Sequence, residues 1–217
     1  TFFLMNLVPG GPFLSEKAIS PAATKALEAK YGLDKPMAER YFTYISDAAH
    51  GDFGDSLKQR GRTVMDIIAT KFPVSAKLGG MAVILALCVG VPLGVLAAYK
   101  RGTFIDSLFS VIATCGIAVP GFVICTLLLY VFGVKLQWLP TLGLKNAQSY
   151  IMPVVALAAY PTSYIMRLMR SSMLDVLGQD YMRTAKAKGL SQKVSLFKHA
   201  LRNAILPVIT YVGPMLA

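Results

Sequence analysis

The chain has 217 residues, of which 55% are apolar and only 15% charged, and its mean hydropathy is +0.55. A soluble domain of this length usually carries about a quarter charged residues, so this composition argues against one. The formal charge of +11 comes from 22 Lys and Arg against 11 Asp and Glu. Its distribution, set between long charge-free runs, excludes a nucleic-acid binder and fits an all-α polytopic membrane protein.

The opening run "TFFLMNLVPGG" is apolar but too short to cross a bilayer, and residues 1–9 read as the end of a first transmembrane helix cut short. Residues 10–73 hold nine Lys and Arg and eight Asp and Glu, nearly balanced. They read as an extracytoplasmic helical region. Ser20 can cap a helix with Pro21 at its first position, ending near Gly32. A second helix is expected from Pro36 to His50, with Tyr41, Phe42, Tyr44, Ile45 and Ala48 on its inner side and Gly51 as its stop. "HGDFGDS" reads as a turn. Val64, Met65, Ile67, Ile68 and Phe72 then suggest an amphipathic helix lying at the outer interface.

The membrane core is expected over 74–217. No Asp, Glu, Lys, Arg or His falls between Lys77 and Lys100, between Asp106 and Lys135, or between Lys145 and Arg167. A helix rises about 1.5 Å per residue and about 20 apolar residues cross the hydrocarbon, so each gap is long enough to span. Crossings are expected near 78–98, 108–134 and 150–166, with a further one, cut short, over 207–217. Residues 167–202 carry eight Lys and Arg against two Asp, and "YKRG" at 99–102 adds two more. Loops rich in Lys and Arg stay in the cytoplasm, which places 100–102 and 167–202 inside and 10–73 and 135–150 outside. The alternation agrees with one crossing per gap.

Prolines and glycines interrupt these spans: Pro92 with Gly90 and Gly94, Pro120 with Gly121, then Pro153, Pro161, Pro207 and Pro214. Most are compatible with ordinary packing, since Gly and Pro are common in spanning helices. "GIAVPGF" lies in mid-span, and there Pro120 and Gly121 are candidates for a kink lining a translocation pathway. Cys88, Cys115 and Cys125 lie in apolar runs and read as small packing residues, not a disulfide framework.

No phosphate-binding G-x-x-x-x-G-K-[ST] loop occurs, nor H-E-x-x-H, nor G-x-S-x-G. The two histidines, His50 and His199, fall on opposite sides of the membrane. The interiors of the complete spans lack the ionisable group that proton- or ion-coupled carriers place near the midplane. Uphill transport would therefore draw its energy from a partner. A channel or scaffold without such a partner is the alternative. A membrane-embedded enzyme would need a polar cluster within the spans, and Thr114, Thr126, Thr162 and Ser163 are too few and too bland.

Residues 183–207, "RTAKAKGLSQKVSLFKHALRNAILP", remain to be explained. On a helix over 173–188, Met173, Leu174, Leu177, Tyr181 and Ala185 share one arc, opposite Asp175, Gln179, Arg183 and Lys186. Gly189 supplies a left-handed stop, Ser191 can cap the next helix, and Val194, Phe197, Leu201, Ala204 and Ile205 form a second stripe. Two amphipathic helices bent at "KGLS" could lie on anionic lipid, or form a knuckle docking into a soluble partner. Lipid explains the charge. The Gly bend and the alanine-rich approach to it, which permit close backbone contact, are better explained by docking.

The segment "DYMRTAKAKGLSQKVSLFKHALRNAILPVITYVGP" resembles the cytoplasmic loop of membrane subunits of ATP-binding-cassette importers of the peptide/nickel branch. The general family pattern is E-A-A, three residues, G, nine residues, I-x-L-P. Here Gly189 and Leu206-Pro207 fill the last two features. Arg183, Thr184 and Ala185 stand where Glu-Ala-Ala would, and the L-P comes five residues later, both usual in the peptide branch. "PGGPF", "KYGLDKP", "HGDFG", "FPVSAKLGG", "GVPLGVLAAYKRG" and "RSSMLDVLGQDYMRTAKAKGL" extend the resemblance over nearly the whole chain. "FPVSAKLG", "YVGP" and the short 135–150 loop are most like the B-type subunit of oligopeptide permeases, ahead of dipeptide or nickel permeases.

The resemblance implies a type I importer transmembrane domain with about five of six spans present and both ends truncated. It implies a permease core over 74–217 whose coupling loop is 167–206. Implied partners are a second homologous permease subunit, two cytoplasmic ATPase subunits that bind ATP and Mg, an extracytoplasmic peptide-binding protein and membrane lipid. The chain itself would hold no cofactor or metal and do no catalysis, and would sit in the bacterial cytoplasmic membrane. Tyr181, Arg183, Thr184, Ala185, Ala187, Gly189 and Leu190 would contact an ATPase subunit.

Overall fold

The computed structural model describes residues 2–3, 32, 34–56, 59, 61–191 and 194–216. Among them the regular elements are helical, and the one β contact is an isolated antiparallel bridge between Asp55 and Thr63. The chain divides into two compact units, Thr1–Val74 and Ser75–Ala217.

In the first unit, α1 (Met37–Ala49) occupies the stretch expected to be helical. Lys35 and Glu39 pair at its start at 2.9 Å, and Gly51, at φ +84°, follows its end as the expected stop. Its aromatic side is not an inner side: α1 buries no residue, and Phe42 is 71% exposed. Tyr41 instead meets the rings of Phe2 and Phe3, with centroids 5.3 and 5.1 Å away. The "HGDFGDS" turn is present, with the Gly54 N–H donating to Asp52 Oδ1 at 2.8 Å. The helix expected from Ser20 to Gly32 and the run 1–9 lie outside the described residues, save Phe2, Phe3 and Gly32.

Helix α2 (Val64–Tyr99) joins two expected elements, the interfacial helix and the first complete span, into one of 36 residues. A capping box opens it. Asp66 N–H donates to Thr63 Oγ1 at 3.0 Å, and Thr63 N–H donates to Asp66 Oδ2 at 3.3 Å. The helix runs through Pro73 and Pro92 unbroken. At about 1.5 Å per residue it is about 54 Å long, well beyond the hydrocarbon thickness.

Gly90 and Gly94 prove to be contact points, not breakers. A Cβ on Gly90 would stand 2.8 Å from the Thr162 carbonyl oxygen, and one on Gly94 would stand 2.6 Å from that of Met166. Small residues four apart let two membrane helices meet backbone to backbone.

The crossing expected over 108–134 is broken. Helix α3 (Phe104–Ala118) ends at Val119, and the segment Gly121–Lys135, which opens with α4 (Gly121–Leu128), is bent 101° from it. Proline has no N–H for the preceding turn and pushes the residue before it out of the helical region. Val119 accordingly adopts ψ 122°. Beyond α4 the backbone widens into π-helical turns over Leu129–Lys135, with Leu136 N–H reaching back five residues to Val131 O at 2.9 Å.

After a short 3-10 turn (Ala147–Tyr150), α5 (Ile151–Leu177) outruns the expected span 150–166 and carries helix well into the segment expected to be cytoplasmic loop. Then follow α6 (Asp180–Ala187), a π-helical stretch (Ser195–Ala200), α7 (Leu201–Ala204) and α8 (Leu206–Leu216).

Among the described residues α2 and the segment Ala147–Leu177 are each long and apolar enough to cross a membrane, the bent α3–α4 pair gives a third crossing if it counts as one, and α8 is a shorter apolar helix. Phe104 and Phe122 are 78% and 74% exposed, and Cys88, Cys115 and Cys125 also lie on exposed faces instead of in the packing of this chain. The core is one cluster drawn from α2 (Ala86, Val95, Ala98), α5 (Ile165, Met169, Met173), α6 (Met182) and the segment Leu196–Val208.

Candidate coupling site

The basic segment folds as an elbow, with its parts arranged differently from the single helix expected over 173–188. Gly178 and Gln179 separate α5 from α6, with the Gly178 N–H donating to Leu174 O at 3.2 Å and Gln179 N–H to Val176 O at 3.1 Å. This break resets the helical phase. Met182, not Tyr181, turns into the core, fully buried against the cluster that holds Met173. Tyr181 is half exposed, and its hydroxyl accepts a hydrogen bond from Asn203 Nδ2 at 2.9 Å. That bond ties the root of the elbow to the helix that follows it.

Helix α6 ends in a left-handed cap. Gly189 has φ +73°, and Leu190 N–H donates to Ala185 O at 3.2 Å. A bond from the residue after a left-handed glycine to a carbonyl five residues back is the Schellman closure. A Cβ at Gly189 would touch nothing within 4 Å, so space is open there and only the backbone angle demands glycine. Ser191 Oγ lies 3.5 Å from the Val194 N–H, the capping contact expected of it.

Arg183, Thr184, Ala187, Gly189 and Leu190 are exposed on the elbow. Ala185 is 8% exposed and turns inward, so its side chain supports the elbow from beneath and presents no docking surface.

The second stripe is also rotated. Leu196, Ala200, Ala204 and Val208 are buried, whereas Val194 and Phe197 are exposed. Turns that close over five residues take in one residue more than α-helical turns. The π-helical stretch Ser195–Ala200 therefore shifts the inward face to strict four-residue steps.

Three side-chain or close-approach contacts stand out among those that join α5 to α3. Gly116 lies against Ser163, whose side chain a Cβ there would have to displace. Arg167 NH2 donates to Thr114 Oγ1 at 2.9 Å. Arg170 grips Asp106 with two bonds, Nε to Oδ1 at 2.6 Å and NH2 to Oδ2 at 2.8 Å. Asp106, 6% exposed, also accepts the Gly102 N–H at 3.0 Å. Sequence reasoning missed this pair because Arg170 counts only as one more cytoplasmic cation. A signal existed: Asp106 is the last charge before the long gap that ends at Lys135. Pro120 and Gly121 sit exposed at the corner between α3 and α4, and a Cβ on Gly121 would meet nothing within 4 Å.

Membrane-length helices, exposed apolar faces and a basic elbow on a short helix mark a multi-pass membrane protein and fit the membrane component of a transporter. The chain belongs to the family described as binding-protein-dependent transport system inner membrane component, whose model matches residues 90–217. It is a multi-pass permease subunit of the bacterial inner membrane. It is 45% identical over 216 residues to the oligopeptide transport system permease protein OppB of Salmonella typhimurium, covering 99% of this chain and 71% of that protein. The Escherichia coli K12 protein of the same name is 43% identical over the same shares. The dipeptide transport system permease protein DppB of Bacillus subtilis is 44% identical over 217 residues, 100% of this chain and 70% of its own length.

Proposed function

We propose that this chain is a permease subunit of an ATP-driven importer that carries oligopeptides, handed over by an extracytoplasmic binding protein, into the cytoplasm. The exposed elbow is the observation that supports this reading most directly. Arg183, Thr184, Ala187, Gly189 and Leu190 face outward on a helix of only eight residues, stiffened by a Schellman cap and rooted by Met182 and the Tyr181–Asn203 bond. A short, rigid, basic knob is suited to a groove on a soluble subunit. Two cytoplasmic ATPase subunits would hold ATP and Mg and grip this elbow and its counterpart on a second, homologous permease. Closure of the ATPase pair would move the elbow, and the spans would switch between inward and outward access, with Pro120 and Gly121 beside the path. The chain itself needs no cofactor for this.

The identity to oligopeptide permeases supports oligopeptides as the cargo. The nearly equal identity to the Bacillus subtilis dipeptide permease keeps dipeptides as the second reading. Reconstitution with all partners in proteoliposomes tests the proposal. Peptide should accumulate only with ATP. Gly189→Asn should retain transport, because Asn tolerates the left-handed region. Gly189→Trp should still insert but abolish ATPase co-purification and uptake. Normal uptake by Gly189→Trp would count against the docking reading.

A further inference from the structure

Two Thr-x-x-Asp sequences stand before helices in this chain, Thr63 to Asp66 and Thr103 to Asp106, and they are used in opposite ways. The first closes reciprocally as a capping box at the start of α2. At the start of α3 the box is left open. Thr103 Oγ1 donates to Lys100 O at 2.6 Å, the Thr103 side chain makes no capping bond, and Asp106 accepts the Gly102 N–H at 3.0 Å while also holding Arg170. A local rule forgone at one site and kept at another marks a place where a second demand wins.

That demand is a connection between helices. Arg170 lies near the C-terminal end of α5, two turns before the Gly178 break and the elbow. Asp106 lies in the first turn of α3, whose far end is the break at Val119–Pro120. Arg167–Thr114 and Gly116–Ser163 continue the same seam toward that break. The bidentate guanidinium–carboxylate fork fixes angle as well as distance. Asp106 is buried and Arg170 partly so, which lessens the screening of the fork by salt and water.

We infer that Asp106 and Arg170 are positioning residues for transport: their fork locks α3 to α5, so that displacement of the elbow is delivered to the broken α3–α4 segment instead of being lost in sliding between helices. This rests on the docking reading given above. It adds a specific route through which ATPase closure reaches the membrane.

The test uses the full importer with its ATPase subunits and binding protein, and reads peptide imported per ATP hydrolysed. Asp106→Asn and Arg170→Lys should each assemble with the ATPases and hydrolyse ATP. Their transport ratio should fall about tenfold, within the usual span of coupling between sites. The double exchange Asp106→Arg with Arg170→Asp should recover much of the ratio. A purely structural pair would lower the amount of complex but leave the ratio of what assembles unchanged. An unchanged ratio in both single variants overturns the inference, and so does loss of assembly in all three. Failure of the docking reading is seen separately, as continued ATPase co-purification and uptake by Gly189→Trp.

Discussion

Gly94 and Gly189 need glycine for opposite reasons. At Gly94 the backbone is ordinary helix and the space is closed, since an added Cβ would meet the Met166 carbonyl at 2.6 Å and Met169 Cβ at 2.7 Å. Neither obstacle is a flexible side-chain end, so relief requires the helices to part. Gly94→Val is expected to destabilise the subunit by about 3 kcal/mol, the upper range for overpacking. Gly80 is the control, for it lies in the same helix with nothing within 4 Å of its Cβ position. Gly80→Val should stay within about 0.5 kcal/mol of the parent. Thermal unfolding of the purified complex in detergent distinguishes the two. At Gly189 the space is open and the angle is closed, so side-chain size acts only on what the elbow touches.

At the scale of elements, the corner between α3 and α4 sets the most specific expectation. The 101° turn leaves Pro120 and Gly121 exposed on the chain, and a pathway role requires that exposure to be to water. Cysteines placed at Pro120 and Gly121, in a subunit freed of Cys88, Cys115 and Cys125, should react with a water-soluble thiol reagent in the assembled complex. Protection in every nucleotide state would place the corner against lipid or a neighbouring subunit.

The helical class, the three charge-free runs and the left-handed Gly189 were all legible from the sequence, because each rests on local chemistry or on bilayer thickness. The inward faces of the elbow were not. A periodicity argument assumes one helix at 100° per residue, and both errors arose where that assumption fails. Gly178 breaks the first helix and exchanges Tyr181 for Met182. The π-helical turns over Ser195–Ala200 exchange Phe197 for Leu196. Nor could spacing reveal the Asp106–Arg170 pair, whose members are 64 residues apart. Pro120 was legible as a kink, but proline alone does not fix an angle. Pro92 and Pro161 lie inside continuous helices.

For the whole molecule, the Ser75–Ala217 unit joins an exposed apolar exterior to a basic elbow through one buried cluster containing Met169, Met173 and Met182. Methionine fills irregular gaps and tolerates small displacements, which would suit a core that stays packed under the elbow movement proposed above. The central claim is that a nucleotide-binding subunit holds the elbow. Site-directed cross-linking in native membranes tests it most directly, with a photoreactive group on a single cysteine introduced at Ala187 after removal of the three native ones. The expected product joins this chain to an ATPase subunit carrying a phosphate-binding loop, and its yield should change with ATP. Cross-links to lipid alone, or labelling of the same cysteine by an impermeant reagent from the outer face of intact cells, would contradict the claim.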